Sequence, residues 1–313
     1  MVIGAGLAGI ACARRLAAAG LTVTVIDKGR GIGGRMATRR VSTAAGEVRF
    51  DHGAQYLTAR DPGFAAAMEA LTAQGAAARW EDGAAEAHHT GLPGMSGLVR
   101  ALAEGLPERL AVRQGVEATV LTPEATGWRV DTASGPLSAA RVVSTVPAPQ
   151  AARLIGPAHP LAAALEGVRM APCLTLMAAF PEGTPRPFRT ARSSDHPLAW
   201  IAEDSSKPGR PPGAVTWVAQ AGPAWSTAHL EAERETIAAR MLPLLAERIG
   251  VDPGAALHAA AQRWRYASVA VPLGRPFLRH EGLWLGGDWC LAARAEAAWL
   301  SGTAIAEDLL AAG

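Results

Sequence analysis

The stretch MVIGAGLAGIACARRLAAAGLTVTVID, Met1 to Asp27, decides the fold. Val2-Ile3 reads as the end of a buried strand. Gly4, Gly6 and Gly9 spell G-x-G-x-x-G. Leu7 to Ala19 is Ala-rich and helical, with Gly20 as its stop. Leu21 to Ile26 is a β-branched run that closes on Asp27. A strand, a glycine-rich turn, a helix, a second strand and an acid in this order form a nucleotide-binding β-α-β unit. The glycines permit a tight turn and let the backbone approach a pyrophosphate at a helix N-terminus. Asp27 is placed to accept hydrogen bonds from a ribose. The first strand is short for such a unit, so either the strand is clipped or residues precede Met1.

Working outward, KGRGIGGRMATRR follows directly, Lys28 to Arg40. Gly33-Gly34 lets the backbone pass close to a phosphate chain, and Arg35 can pair with phosphate bidentately. A second clasp of this kind suits FAD, which is longer than one β-α-β unit can hold. A third element is LWLGGDWC, Leu283 to Cys290. Here Asp288 follows a buried strand and suits the ribityl or pyrophosphate region. A helix starting near Ala297-Ala298-Trp299 would aim its positive N-terminus at the flavin N1/C2=O edge.

The segment RFDHGAQYLTAR, Arg49 to Arg60, is the polar exception in a chain that is 49% hydrophobic, and it carries one of the two tyrosines. It reads as a flavin-facing wall. Gly53-Ala54 are small where a flat ring must lie close to the backbone. Gln55, Tyr56 and His52 are candidate contacts, while Asp51 and Arg60 read as structural braces.

Net charge is +2 with 19% charged residues, and no Lys/Arg run forms a patch, which argues against nucleic acid. The only lysines are Lys28 and Lys207. Three scattered cysteines, Cys12, Cys173 and Cys290, make neither a disulfide framework nor a C-x-x-C. No apolar run is long enough to span a membrane, and no cationic leader is evident, so the expected location is the cytoplasm. No metal site is expected: His88-His89 lack further ligands at suitable spacing.

The middle of the chain has a different character. Strands are expected at Glu47–Phe50, Leu110–Leu121 (with a Gly break), Trp128–Asp131, Val142–Val146, Cys173–Phe180, Leu198–Ala202, Val215–Gln220 and Ala261–Tyr266. Trp128–Asp131 and Val142–Val146 are expected to complete a small β-layer. His88–Gly94 reads as a loop, Ser96–Gly105 as a helix, SSKPGRPPG at Ser205–Gly213 as a Pro/Gly loop, and His229–Ile249 as a helix with Trp225-Ser226 at its N-cap. The expected organisation is a discontinuous FAD-binding unit (1–74, 95–150 and 272–313) and a substrate unit (75–94 and 151–271).

GAGLAG, GIGGRMATRR, FDHGAQYLTARD, QRWRYA, and GLWLGGDWC with AAWLSG together resemble the renalase-like branch of the flavin amine oxidase superfamily. The resemblance covers most of the chain and is weakest at 180–213. It implies an α/β two-domain flavoprotein resembling the p-hydroxybenzoate hydroxylase fold, with a Rossmann-type FAD domain, a mixed-sheet substrate domain and noncovalent FAD. It implies that Gly4, Gly6, Leu7, Ala8, Gly9, Asp27, Lys28, Gly34, Arg35 and Met36 hold FAD. Gly53, Ala54, Val116, Gly287, Asp288, Trp299 and Leu300 complete that set. It also implies oxidation of dihydro isomers of NAD(P)H to NAD(P)+, with dioxygen as electron acceptor, hydrogen peroxide as product and a monomer or weak dimer. Candidate slot walls and polar contacts are His52, Gln55, Tyr56, Trp264, Arg265 and Tyr266. The alternatives are oxidation of a small amine, for which many relatives use a lysine near flavin N5, and a flavin protein without turnover. Neither lysine of this chain is expected at such a place.

Overall fold

The computed structural model describes residues 1–105 and 108–312. In chain order, β1 (Val2–Ile3), α1 (Leu7–Ala18) and β2 (Val23–Asp27) are followed by the hairpin β3 (Thr38–Thr43) and β4 (Gly46–Asp51). Next come α2 (Pro62–Ala73), β5 (Ala77–Trp80), β6 (His88–Gly91), α3 (Met95–Ala103) and β7 (Leu110–Gln114). β8 (Ala118–Glu124), β9 (Gly127–Thr132), β10 (Leu137–Ala139), β11 (Val142–Ser144), α4 (Ala148–Ile155) and α5 (Ala162–Leu165) lead to the middle of the chain. There, β12 (Arg169–Pro181), β13 (Thr190–Arg192), β14 (Leu198–Glu203), β15 (Ala214–Ala221), α6 (Pro223–Ala228), α7 (Arg234–Ile249) and β16 (His258–Val271) precede the closing β17 (Phe277–His280), β18 (Leu283–Gly286) and α8 (Ala295–Ala311).

The nucleotide-binding unit is built on a six-stranded sheet in the order β17-β18-β11-β1-β2-β7, parallel except for β17. Its strands are short apolar runs because both faces are covered. Val2, Val25, Val143 and Trp284 point to the face packed under α1, α3 and α8, and their neighbours Ile3, Ile26, Val142 and Leu285 point to the face covered by α4 and the β8–β9 ribbon. β1 needs only two residues because it is central, paired to β2 and β11 at once. At Gly9 an added Cβ would sit 1.9 Å from the Gly4 carbonyl oxygen, so the turn into α1 requires a bare backbone there.

A second sheet, β13-β14-β15-β12-β16, is antiparallel throughout. Alternation again divides its residues. Leu174, Leu176, Ile201, Val215, Trp217 and Ala219 pack beneath α7, while Met177, Ala179 and Val218 pack on Val48 and Phe50 of the β3–β4 hairpin. The hairpin therefore joins the nucleotide-binding side to the second sheet.

Several expectations are corrected. Leu110–Leu121 is not one interrupted strand: β7 is an edge of the large sheet, and β8 belongs to a separate three-stranded ribbon, β10-β9-β8. Val142–Val146 does not join that ribbon, since β11 lies in the large sheet, where its apolar residues are buried on both faces. His88–Gly94 begins with a strand, β6, paired to β5. The helix expected from His229 starts at Arg234, with Glu233 in an extended conformation as its N-cap. Ser226 is not its cap: it lies in the short α6, where its buried Oγ accepts from the Leu174 N–H and donates to the Ala221 carbonyl.

Candidate active site

A cavity of about 400 Å³ opens where the parallel strands end and the antiparallel sheet begins. This is within the range of roughly 300–1,000 Å³ usual for small-molecule sites, and it lies where open α/β sheets bind ligands, beyond the carboxyl ends of their strands.

Its first stretch is the start of α1. Gly6, Leu7 and Ala8 line it, and an added Cβ on Gly6 would meet nothing within 4 Å. The helix N-terminus offers amide N–H groups with no intrahelical acceptor. Asp27 stands at the end of β2 and holds the two glycine turns: its carboxylate accepts from the Ala5 N–H (2.7 Å) and the Gly29 N–H (2.6 Å). The Val116 N–H bonds to the Asp27 carbonyl, and Lys28 is exposed and pairs with Glu117. Gly4 and Gly9 shape the turn from behind, against Thr145.

The second stretch is the 3-10 turn Gly34–Met36. Gly33, Arg35 and Met36 line the cavity. Arg35 makes two bonds to Asp288 (2.7 and 2.5 Å) and one to the Ala267 carbonyl. Arg35 and Asp288, expected separately at the phosphate and the ribityl chain, are thus one bidentate pair, with Gly287 beside it at the wall. Ala295 and Ala298, in the first turn of α8, close this side. Trp299 turns away and packs on Phe64, ring centroids 5.6 Å apart, and Leu300 follows it on the helix, half-buried and away from the lining.

The third stretch is the wall expected at Gly53-Ala54, and both residues line the cavity. The chain passes so close to Arg35 that a Cβ on Gly53 would stand 1.9 Å from the Arg35 carbonyl oxygen. That carbonyl accepts from the Ala54 N–H (2.8 Å), and the Gly53 carbonyl accepts from Gln220 Nε2 (2.7 Å). Gln55 is buried behind the wall, where its Nε2 donates to the Asp51 carbonyl and its Oε1 accepts from Lys207.

His52 is also behind the wall. Its ring stacks on Trp264 at 5.3 Å, and the Trp264 Nε1 donates to its carbonyl (2.8 Å). Burial, then the nearby Arg39, pushes its pKa down to about 4. Below the wall, Lys207 Nζ lies 2.6 Å from Asp204 and 3.1 Å from Asp51, and Arg210 pairs with both acids. All four side chains are buried. Burial works against the charge on Asp51, but Lys207 and Arg210 outweigh it and hold its carboxyl below the ordinary value. Lys207, placed by sequence in a Pro/Gly loop, is therefore a core residue.

The far end of the cavity is framed by the antiparallel sheet and the turn before α8. Trp200, Gln220, Trp264, Cys173, Ser268 and Arg294 line it. Burial pushes the Cys173 thiol up to about 11, and Arg294 is paired with Glu296 (2.6 Å). Strand geometry separates the QRWRYA candidates. Trp264 faces the cavity, and its neighbours Arg263 and Arg265 face the opposite side, toward the α6–α7 connection, where Arg263 bonds to the Ala232 carbonyl and Arg265 pairs bidentately with the exposed Glu231. The register passes from Cys173↔Trp264 to Ala171↔Ser268, so a bulge turns Ala267 and Ser268 inward. Tyr266 is sent outward, where its hydroxyl accepts from Arg153 of α4. Tyr56 also lies outside the lining, stacked on His88 at 3.6 Å and tilted against Trp200 at 5.7 Å.

Trp200, Gln220, Cys173, Thr145 and Arg294 escaped sequence reading. Nothing in the sequence announces them, because each reaches the cavity only through strand pairing or a tertiary turn. Among the described residues no cluster of His, Cys, Asp or Glu could hold a metal, and no helix is long and apolar enough to cross a membrane.

Residues 2–71 match the NAD(P)-binding Rossmann-like domain, and residues 63–310 match the flavin-containing amine oxidoreductase family. The chain belongs to the flavin-containing amine oxidoreductases. Among solved structures it is similar to a putative protoporphyrinogen oxidase from Exiguobacterium sp. 255-15 (TM-score 0.80, 14% identity, 100% of this chain and 98% of that one). It is also similar to cyclohexylamine oxidase from Brevibacterium oxydans IH-35A (TM-score 0.76, 13% identity, 99% and 98%) and to a putrescine oxidase with putrescine bound (TM-score 0.64, 14% identity, 99% and 98%). These likenesses show the two-domain FAD oxidoreductase fold. As a flavin-containing amine oxidoreductase the protein uses FAD, and the cavity fits that cofactor: a helix N-terminus with open space at Gly6, a bare backbone at Gly53 and a run of small residues connect the two ends.

Proposed function

We propose that this FAD-dependent oxidoreductase oxidises dihydro isomers of NAD(P)H, in which the hydride sits at the wrong ring carbon, to NAD(P)+. One observation carries the reading. The ionisable side chains lining the cavity are Arg35, Asp288, Arg294 and Cys173, and none is a base available to a substrate. Asp288 is held by Arg35, Arg294 is held by Glu296, and the thiol is neutral. Lys207 is spent on two buried carboxylates. Oxidation of a dihydropyridine needs no base: its C–H bond breaks with both electrons, driven by the ring nitrogen, and the ring becomes a pyridinium. FAD, which these residues would hold noncovalently, would supply hydride acceptance and, with a proton from solvent, two-electron reduction of dioxygen to hydrogen peroxide. What the protein supplies is a flat slot that stacks one ring on the other at short distance. In this reading Gly53 and Ala54 back the flavin, and Trp264 and Trp200 frame the substrate ring. His52 and Gln55 hold that wall from behind, Gly4 to Gly9, Asp27, Gly34–Met36 and Asp288 hold the cofactor, and the FAD and substrate units divide at the boundaries expected from sequence.

The amine reading retains one favourable observation, the two indoles of Trp200 and Trp264 on the same cavity. Anaerobic mixing separates the two readings. Borohydride-generated NAD(P)H isomers are expected to bleach the flavin within the mixing time, and simple amines to leave it oxidised. Fast bleaching by amines, with none by the isomers, overturns the proposal.

A further inference from the structure

The row of registered pairs Arg192↔Trp200↔Gln220 crosses β13, β14 and β15. Directly opposed residues on antiparallel strands share a face. Trp200 and Gln220 line the cavity, so Arg192 sits on the cavity side of the sheet, at its exposed edge strand. The guanidinium lies over the Trp200 ring, 4.3 Å from its centroid, and donates to the Tyr56 hydroxyl. Tyr56 is itself clamped on His88, whose Nδ1 is 2.8 Å from Asp82. Two neighbours, Trp200 and the Tyr56 that His88 braces, thus hold Arg192 without neutralising it. Among the described residues it makes no ion pair, whereas Arg35 and Arg294 inside the cavity are both matched by acids. A charged fork held rigid at the rim, with its charge unspent, is built to receive an anion: planar guanidinium groups take phosphate bidentately and lose little freedom when pre-set.

We infer that Arg192 is an anion subsite at the cavity mouth, which takes the phosphate-bearing tail of a dinucleotide substrate while its ring lies between Trp264 and the flavin. The inference rests on the dihydronicotinamide reading and extends it from the ring to the tail. It also sets the sign of selectivity: a fixed cation at the entrance repels an ammonium substrate and attracts a pyrophosphate. Tyr56 is then a positioning residue, acting through Arg192.

The test compares Arg192→Gln and Arg192→Lys with the unmodified FAD-loaded protein. Two substrates are used, an NAD-derived dihydro isomer and an N-alkyl dihydronicotinamide that has no phosphate. A charge-assisted bond is worth about 1.5–3 kcal/mol, so Arg192→Gln is expected to raise KM for the dinucleotide by about 10–100-fold. The limiting rate of flavin reduction, and KM for the N-alkyl compound, should stay within about 2-fold. Arg192→Lys should recover part of the loss. A larger effect on the NADP-derived than on the NAD-derived isomer places the 2′-phosphate at Arg192, and equal effects place the pyrophosphate there. An equal KM change for both ring donors, or none for either, overturns the subsite. If no dihydropyridine reduces the flavin, the functional reading fails, and the subsite is then judged by inorganic pyrophosphate and ADP-ribose. Their perturbation of the flavin spectrum should weaken at least 10-fold in Arg192→Gln, and unchanged binding overturns the inference.

Discussion

Replacing Lys207 by Met tests the reading of the buried cluster and, with it, the choice between chemistries. The four side chains Asp51, Asp204, Lys207 and Arg210 balance two negative charges with two positive ones in a site closed to water. Methionine matches the lysine stem in length and removes the charge, leaving two carboxylates to share Arg210. Deleting one partner from a buried ionic group costs about 3–5 kcal/mol, because the charge left behind is uncompensated. With an unfolding entropy of roughly 2.1 cal/mol/K per residue, the 313 residues give a slope of about 0.7 kcal/mol/K, so Tm should fall by about 5–8 °C. The assay is thermal unfolding of the FAD-loaded protein, followed by flavin fluorescence and near-UV circular dichroism. Arg60→Gln, which breaks an exposed pair with Glu86, serves as the control and should move Tm by less than about 1 °C. The rate of flavin reduction should change less than about 3-fold, since Lys207 does not line the cavity. An unchanged Tm together with a reduction rate slowed 100-fold or more would refute the structural assignment and place Lys207 at the chemistry, as the amine reading requires.

Two glycines make a matched pair of tests. Gly53→Ala forces a Cβ to within 1.9 Å of the Arg35 carbonyl and disturbs the Ala54 and Gln220 bonds, so the apoprotein should lose about 1–3 kcal/mol in urea unfolding. Gly6→Ala meets no protein atom and should leave apoprotein stability within about 0.5 kcal/mol while weakening FAD at least 10-fold in a fluorescence titration; normal FAD affinity would remove Gly6 from the cradle. Asp288→Asn leaves Arg35 half-partnered, and FAD dissociation, measured by ultrafiltration, should quicken by about 10-fold or more. His52 gives stability a pH dependence. Its folded pKa is about 4 against an ordinary 6.5, so between those values the unfolded chain binds a proton that the folded chain refuses. Stability is full above about pH 6.5 and falls by up to about 3 kcal/mol as pH drops toward 4; Asp51 adds a further loss below its ordinary value of 3.8. His52→Gln should flatten the upper part of that profile in urea unfolding at a series of pH values.

The large sheet was legible because its evidence is local. The glycines at 4, 6 and 9, the β-branched run around Val25 and the terminal GGD each announce a strand end next to a turn, whereas the run around Val143 reads as a strand without revealing that its partners are β1 and β18. Gly53-Ala54 was expected at the cavity because small residues suit a flat ring, and both line it, but the close approach that excludes a Cβ at Gly53 is to the Arg35 carbonyl, which the sequence did not reveal. Pairing across the sheets was not legible. Arg265 and Trp264 are adjacent in sequence and leave the strand on opposite faces, and the bulge that ejects Tyr266 depends on where β12 meets β16. Lys207 lay in a Pro/Gly-rich stretch, which composition reads as solvated. It is buried because Asp204, three residues earlier in its own turn, and Asp51 at the end of β4 both pair with it. The break before Arg234 was hidden because Ser226, a good cap by residue type, spends its hydroxyl on the Leu174 amide and the Ala221 carbonyl.

The pocket's contributors are spread unevenly in time as well as in space. Gly6 and Gly53 are made early, but Gly287, Asp288 and the first turn of α8 come from the last tenth of the chain. During synthesis, then, the amino-terminal β-α-β unit leaves the ribosome with the α1 face that receives α8 uncovered, because Gly302 packs directly on the Ala8 backbone. Arg35 likewise waits for its acid across 253 positions. The nascent chain must carry an open apolar groove and an unmatched guanidinium through most of its own translation, the kind of exposed surface that recruits chaperones. Cofactor capture thereby becomes a late event, one that marks a chain whose carboxyl-terminal helix has docked.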